Sequence, residues 1–283
     1  MHPHSLLRLS SKIYNTPHLI TPEAFSVVLD YLDSRNSRDF RMDFIDGPDP
    51  EDDQEAPMYA NGLGILRVDG SLTYKPVMTL CGEAGTSYQS LVNQVEDMAE
   101  AGVKTIVMEV TSGGGEASHV FQACEDIRAI CDENEITLIG YADTIAASAA
   151  YALICVCDQV IANPSASLGS IGCVVALLDT SKAMDNAGLK RIFVTSGESK
   201  VPFAEDGSFK KSFLAETQSD VDRLNLEFAT HVSKYTGLDV KTITGFEAKV
   251  FDAATAVEKG LANAVMTNKQ FSAYVAQIQK EMQ

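Results

Sequence analysis

The 283-residue chain reads as an α/β domain on a mostly parallel sheet, preceded by a short helical preface. Three observations predict this. Short runs rich in β-branched residues alternate with stretches whose apolar residues recur at helical spacing. Loops of glycine, serine and small residues follow several of those runs, where open α/β folds place their sites. An acidic, proline-rich stretch separates the first 45 or so residues from the alternation, because such a composition cannot bury a core.

Residues 1–45 form the expected helical preface. Thr21 followed by Pro22 and Glu23 is a capped helix start with proline at the first position. Ala24, Val27, Val28, Tyr31 and Leu32 then share a face. DGPDPEDDQEAP, residues 46–57, holds six acids and three prolines, so residues 46–58 are expected to be a linker. The main domain is expected over 59–267, with a closing helix over 268–283.

Within the main domain, 63–68 reads as a strand. Residues 86–100 read as a helix with Tyr88, Leu91, Val92, Val95 and Met98 on one face. Residues 105–110 are a strand, and 116–131 a helix carrying Val120, Cys124, Ile127 and Cys131 on one side. A strand at 136–141 leads to an apolar helix at 146–156. Further strands are expected at 160–162, 171–177 and 191–195. Beyond Phe213 the pattern is helical, with Val221, Leu224, Phe228 and Val232 aligned.

Composition excludes several classes. Apolar residues make up 45% and charged residues 22% of the chain, a globular balance. The formal charge of −17 repels phosphate backbones and anionic lipid surfaces, so no nucleic-acid partner is expected. The longest apolar run, 145–157, has 13 residues, short of the ~18 that a membrane span needs. The first residues lack the apolar core of a signal peptide, so a protein that is not secreted is expected. Six cysteines are too sparse for a disulfide scaffold, and no histidine stands at zinc spacing from them. They are expected to be core thiols, with no metal and no organic cofactor.

Three strand-end features can carry chemistry. Thr111-Ser112-Gly113-Gly114-Gly115-Glu116 lets a backbone approach a ligand closely, yet lacks the lysine of a phosphate-binding loop and the third glycine of a dinucleotide fingerprint. Asp143-Thr144-Ile145-Ala146-Ala147-Ser148-Ala149-Ala150-Tyr151 sets one serine in a row of alanines at an expected helix start, where amides favour an oxyanion. Ser196-Gly197-Glu198-Ser199-Lys200-Val201-Pro202 offers a loop lysine. A serine nucleophile needs a base. The chain has no histidine between His119 and His231, which excludes a histidine base shortly after the serine; His119, one turn past the glycine loop, is a candidate, and a lysine is the alternative. A lysine acts as a base only when neutral, so burial or nearby positive charge must lower its affinity for the proton. A second hydroxyl can hold such a lysine in line, and Ser170 in Leu168-Gly169-Ser170-Ile171-Gly172 is the candidate.

These residues resemble the signal-peptide-peptidase type of Ser–Lys serine protease, in the branch that tailed phages use for head maturation. Ser112-Gly113-Gly114-Gly115-Glu116 is similar to the family's S-P-G-G-E oxyanion loop, and Ala146–Leu153 to its nucleophile segment. Gly169-Ser170-Ile171-Gly172 resembles its G-S-[IV]-G turn. Lys200 stands 52 residues after Ser148, where the family's base lysine falls. Phe251-Asp252-Ala253 through Gly260-Leu261-Ala262 resembles its closing segment, and Tyr14-Asn15-Thr16-Pro17-His18-Leu19-Ile20 the phage members' start. Gly113 replaces the family's loop proline, and Asn263 its usual aspartate.

The resemblance implies a ClpP/crotonase-like spiral of ββα units. It implies Ser148 as nucleophile, Lys200 as general base and Ser170 aiming the lysine. The amides of Gly114 or Gly115 with that of Ala149 form the implied oxyanion hole. Implied partners are scaffold and capsid proteins as substrates and further copies of the chain in a ring, in the host cytoplasm or the prohead. A cellular signal-peptide-degrading peptidase, a crotonase-like acyl-CoA enzyme and an inactive capsid-associated structural protein are the alternatives.

Overall fold

Parallel strands that are covered on both faces need continuous apolar runs, and the chain supplies them at 105–108 and 138–142. The computed structural model describes residues 13–36, 58–76, 78–79, 82–83, 85–190, 192–204 and 206–281. The expected acidic linker at 46–57 and Cys81 lie outside these residues.

The first elements are strand β1 (Pro17–Ile20) and helix α1 (Pro22–Asn36). Strands β2 (Met58–Ala60) and β3 (Leu63–Asp69) form an antiparallel hairpin, so Met58, expected in the linker, pairs with Ile65. Four two-residue strands follow: β4 (Leu72–Thr73), β5 (Met78–Thr79), β6 (Gly82–Glu83) and β7 (Thr86–Ser87). Helix α2 (Tyr88–Glu100) is capped by the Ser87 hydroxyl, which accepts from the Ser90 amide, and it buries Tyr88, Leu91, Val95 and Met98.

Strand β8 (Thr105–Ser112) crosses the centre and turns into β9 (Gly114–Glu116). Helix α3 (Val120–Glu133) returns to β10 (Thr137–Ala147), which leads into α4 (Ala149–Ile154). Then come β11 (Gln159–Ala162), β12 (Ser167–Gly169), β13 (Val174–Val175) and α5 (Ser181–Asn186). The long helix α6 (Lys211–Thr236), α7 (Val240–Thr244), β14 (Val250–Asp252), α8 (Ala253–Glu258), β15 (Ala264–Val265) and α9 (Asn268–Glu281) complete the described chain.

The main sheet runs β14-β12-β10-β8-β3-β2, and β11 and β15 extend it beside the first half of β10. β3, β8, β10, β11 and β12 are parallel where they pair, as the strand–helix alternation predicts. β10 changes partner along its length. Ile139–Ala142 pair with β11, Ile145–Ala147 pair with β12, and the register to β8 shifts between Ala142 and Ala146. This irregularity lets one strand serve two neighbours and carries its end away from the sheet's mean plane. The core lies between the sheet and α2, α3, α4 and α6. A smaller apolar cluster (Val107, Ile139, Tyr141, Ile161 and Phe271) sits under α9.

A second sheet, β13-β1-β9-β4-β7, stands at the C-terminal end of β8. Hydropathy does not announce it, because its strands have two to four residues and several residues bond through backbone alone. Six expectations are corrected. The helix after the glycine loop begins at Val120 rather than 116, because Gly114–Glu116 are a strand. The helix expected from 146 begins at Ala149. Of 171–177, only Val174–Val175 is a strand, and 192–195 form none. The preface includes a strand. Its helix buries Phe25, while Val27 is 69% exposed.

Candidate active site

Ser148 stands between the last residue of β10 and the first of α4, with φ 58° and ψ −122°. A non-glycine residue held there is strained, by roughly 1–3 kcal/mol. The strain persists because both sides of the turn are over-determined. The Ser148 amide donates to the Gly169 carbonyl at 2.8 Å, and the Ala152 amide donates to the Ser148 carbonyl at 3.0 Å. Ala146, Ala147, Ala149 and Ala150 are fully buried, so only methyl-sized side chains fit beside the turn. The Ser148 hydroxyl is buried and has no hydrogen-bond partner. Leaving a buried hydroxyl unpaired costs about 1–3 kcal/mol, which makes it a candidate for chemistry.

Helix α4 is held by groups from α3, from α6 and from the turn after α8. The Tyr151 hydroxyl donates to the Leu261 carbonyl at 3.0 Å, and the Cys124 thiol to the Ala152 carbonyl at 3.2 Å. His231 Nε2 donates to that same carbonyl at 3.0 Å. Burial lowers the His231 pKa, which favours the neutral ring. Sequence reasoning did not assign this role. The available signal was its place on the apolar face of α6, three residues after Phe228.

The glycine loop arrives from the opposite side. Gly114 has φ 99°. A methyl group on it would lie 3.0 Å from both Ser148 Cβ and the Ala149 amide nitrogen. A methyl on Gly115 would strike the Leu72 carbonyl oxygen at 2.0 Å. Both positions therefore require glycine. The Ser112 hydroxyl fixes the loop, donating to the Gly70 carbonyl at 2.6 Å and accepting from the Gly114 amide at 3.1 Å. Gly113 accepts from the Thr21 amide at 2.9 Å, a support that comes from the preface.

Ser170 lies beside Ser148. Ala147 pairs with Gly169 across β10 and β12, so the two serines follow on adjacent strands. Ser170 is also held at positive φ, 52°, and its amide donates to the Lys249 carbonyl at 2.9 Å.

Lys200 stands apart. It closes a 3-10 turn, Glu198–Lys200, and its side chain is exposed. No bond joins it to the Ser148 hydroxyl. Of the expected site residues, Ser148, Gly114 and Ala149 thus abut, Ser170 and Gly115 adjoin them, and Lys200 is not engaged. His119 stacks on Tyr74 at 3.7 Å between ring centres and shares a 2.6 Å hydrogen bond with Ser118.

Burial pushes the thiols of Cys124, Cys155 and Cys157 well up, and those of Cys131 and Cys173 to about 11, so all five stay protonated near neutrality. Among the described residues no group of three or more metal-ligating side chains comes together, and no helix is long and apolar enough to cross a membrane.

At this turn a strained serine is faced by a glycine backbone and by the first amide of a helix. The model of peptidase family S49 matches residues 132–283, and the chain belongs to that family. It is 28% identical over 208 residues to the head-tail preconnector protein GP5 of Enterobacteria phage P21, covering 72% of this chain and 40% of that protein. It is 24% identical over 209 residues to the capsid assembly protease C of Escherichia phage lambda, covering 74% and 47% respectively. The chain thus spans less than half the length of either relative. Among solved structures, a ClpP1 mutant from Listeria monocytogenes aligns with a TM-score of 0.46 at 12% identity, over 72% of this chain and 91% of that one.

Proposed function

We propose that the chain is a serine endopeptidase that cleaves scaffold and capsid proteins during phage head maturation, in the host cytoplasm or within the prohead. The observation that carries this reading is the unpartnered, buried Ser148 hydroxyl at a positive-φ turn, set against Gly114 and Ala149. Family membership and relatives named for capsid assembly support it.

In the proposed reaction Ser148 Oγ attacks a peptide carbonyl while neutral Lys200 takes its proton. The carbonyl oxygen becomes an oxyanion held by the amide of Ala149 with that of Gly114 or Gly115. Collapse expels the amine, which takes the proton from Lys200 and leaves an acyl-serine. Water then repeats the sequence and frees Ser148. Ser170, one strand over, aims the lysine. The base has to be brought to the site, since the Lys200 side chain is exposed in the single chain.

The same stretch carries apolar side chains in the open, with Ile192 78% and Val194 99% exposed. Association of copies would cover them, and a homo-oligomeric ring is part of the proposal. Incubating the chain and its Ser148→Ala variant with an unfolded protein, and reading products by intact mass, tests the function. Cleavage by the first alone is expected. Equal cleavage by both would remove Ser148 from the mechanism.

A further inference from the structure

Ser148 is fully buried, so in this state no peptide carbonyl can reach it. The segment lying along the loop beside it is the chain's own preface. β1 sits between β9 and β13, antiparallel to both. His18 pairs with Glu116, Leu19 with Gly115 and Ile20 with Gly114. On the other side, Pro17 pairs with Val175 and His18 with Val174. The methyl position on Gly114 that lies 3.0 Å from Ser148 Cβ also lies 2.2 Å from the Leu19 carbonyl oxygen. A backbone carbonyl of the preface therefore abuts the nucleophile's turn.

An extended peptide that presents a carbonyl to Ser148 has to run along β9, because the glycine loop supplies both the strand edge and the donors. Strand addition uses the unpaired amides and carbonyls of such an edge, with pockets for alternate side chains. β1 already uses them. Its Leu19 side chain is fully buried, and Ile20 is 8% exposed, as an anchored substrate residue would be. The strand has four residues, begins with proline and inserts between edges of three and two residues. Its ladder is thus short, and the bonds that hold it are of the kind a substrate backbone would make.

We infer that the slot between β9 and β13 receives an extended peptide with an apolar residue at the Leu19 position, and that Pro17–Ile20 fills it as a built-in blocking strand. This rests on the peptidase reading. Substrate enters only when the strand leaves, so its affinity is reduced by the fraction of molecules in which the slot is empty.

A reversible lock tests this in the full chain. Pro17→Cys with Val175→Cys, in a Cys173→Ser background, places thiols on cross-strand partners, whose Cα separation in antiparallel ladders, about 4.5–5.5 Å, suits a disulfide. The probe is a fluorescent peptide with the sequence of residues 14–21, added to the locked chain carrying Ser148→Ala so that it cannot be cleaved. Reduced protein should bind it, and oxidised protein should bind at least about tenfold more weakly. Equal binding in both states, or no binding to the reduced state, overturns the inference. Cleavage is measured separately with Ser148 restored. If the binding contrast holds while neither state cleaves, the peptidase reading fails and the slot assignment stands.

Discussion

Gly114 and Ser148 face each other so closely that a methyl group on Gly114 would lie 3.0 Å from Ser148 Cβ. That contact sets the glycine loop against the Ser148 turn, the arrangement that the proposed oxyanion hole requires. The same position has φ 99°, which side chains other than glycine rarely tolerate. Gly114→Ala should lower kcat/KM by about 10²-fold or more, the usual loss when an oxyanion donor is displaced. It should also lower Tm. Steady-state kinetics with a thermal melt read both effects, and an unchanged kcat/KM would place the oxyanion elsewhere.

Strain and an unpartnered hydroxyl at Ser148 predict a trade between stability and activity. Ser148→Ala removes the hydroxyl and keeps the strain of a side chain at positive φ, whereas Ser148→Gly removes the hydroxyl and relieves that strain as well. Both variants should be inactive and no less stable than the parent chain. Ser148→Gly should exceed Ser148→Ala by about 1 kcal/mol, the scale of relieved backbone strain. Denaturant unfolding checks the order. A parent chain more stable than both would mean that the hydroxyl is bonded in solution.

Lys200 is exposed and unengaged in the single chain, so Lys200→Ala and Lys200→Arg should leave Tm unchanged while abolishing cleavage. The arginine variant is the sharper case, because guanidinium keeps the charge and cannot accept the serine proton. Activity retained by Lys200→Arg would exclude the dyad.

His231 links the helix that follows Ser148 to acid stability. Burial lowers its folded-state pKa below the ordinary 6.5, so between those two values the unfolded chain binds the extra proton. Stability therefore falls as pH drops below about 6.5 and is fully present above it. Tm measured from pH 8 downward should show this decline, and His231→Gln should flatten it. Identical slopes in the two proteins would assign the acid sensitivity to other groups.

Much of the main sheet was legible in the chain because it is apolar and periodic. The runs around Val68, Val110 and Tyr141 are long enough to declare strands, and the spacing of Val120, Cys124, Ile127 and Cys131 fixes a helix face. The site was legible in part. Ser148, the three glycines and Ser170 stand out as candidates because small residues or glycines flank them at the ends of apolar runs, whereas the positive φ of Ser148, Gly114 and Ser170 leaves no mark in the sequence. The second sheet was not legible, because strands such as Leu72–Thr73 and Gly114–Glu116 are too short for period-two alternation. β1 was hidden for the same reason: it begins with Pro17, and His18, Leu19 and Ile20 are all buried rather than alternating. The role of His231 depends on a carbonyl 79 residues away in sequence, which no local pattern records.

The central claim is that Ser148 is the nucleophile. A small serine-directed phosphonylating reagent tests it most directly, because covalent capture accumulates even when the open form is a minor population. The full chain is treated at neutral to alkaline pH and the adduct located by tandem mass spectrometry. One adduct on Ser148, absent after Lys200→Ala, is the predicted result. A chain that cleaves protein while its Ser148 stays unmodified, or that is labelled at another serine, would contradict the account.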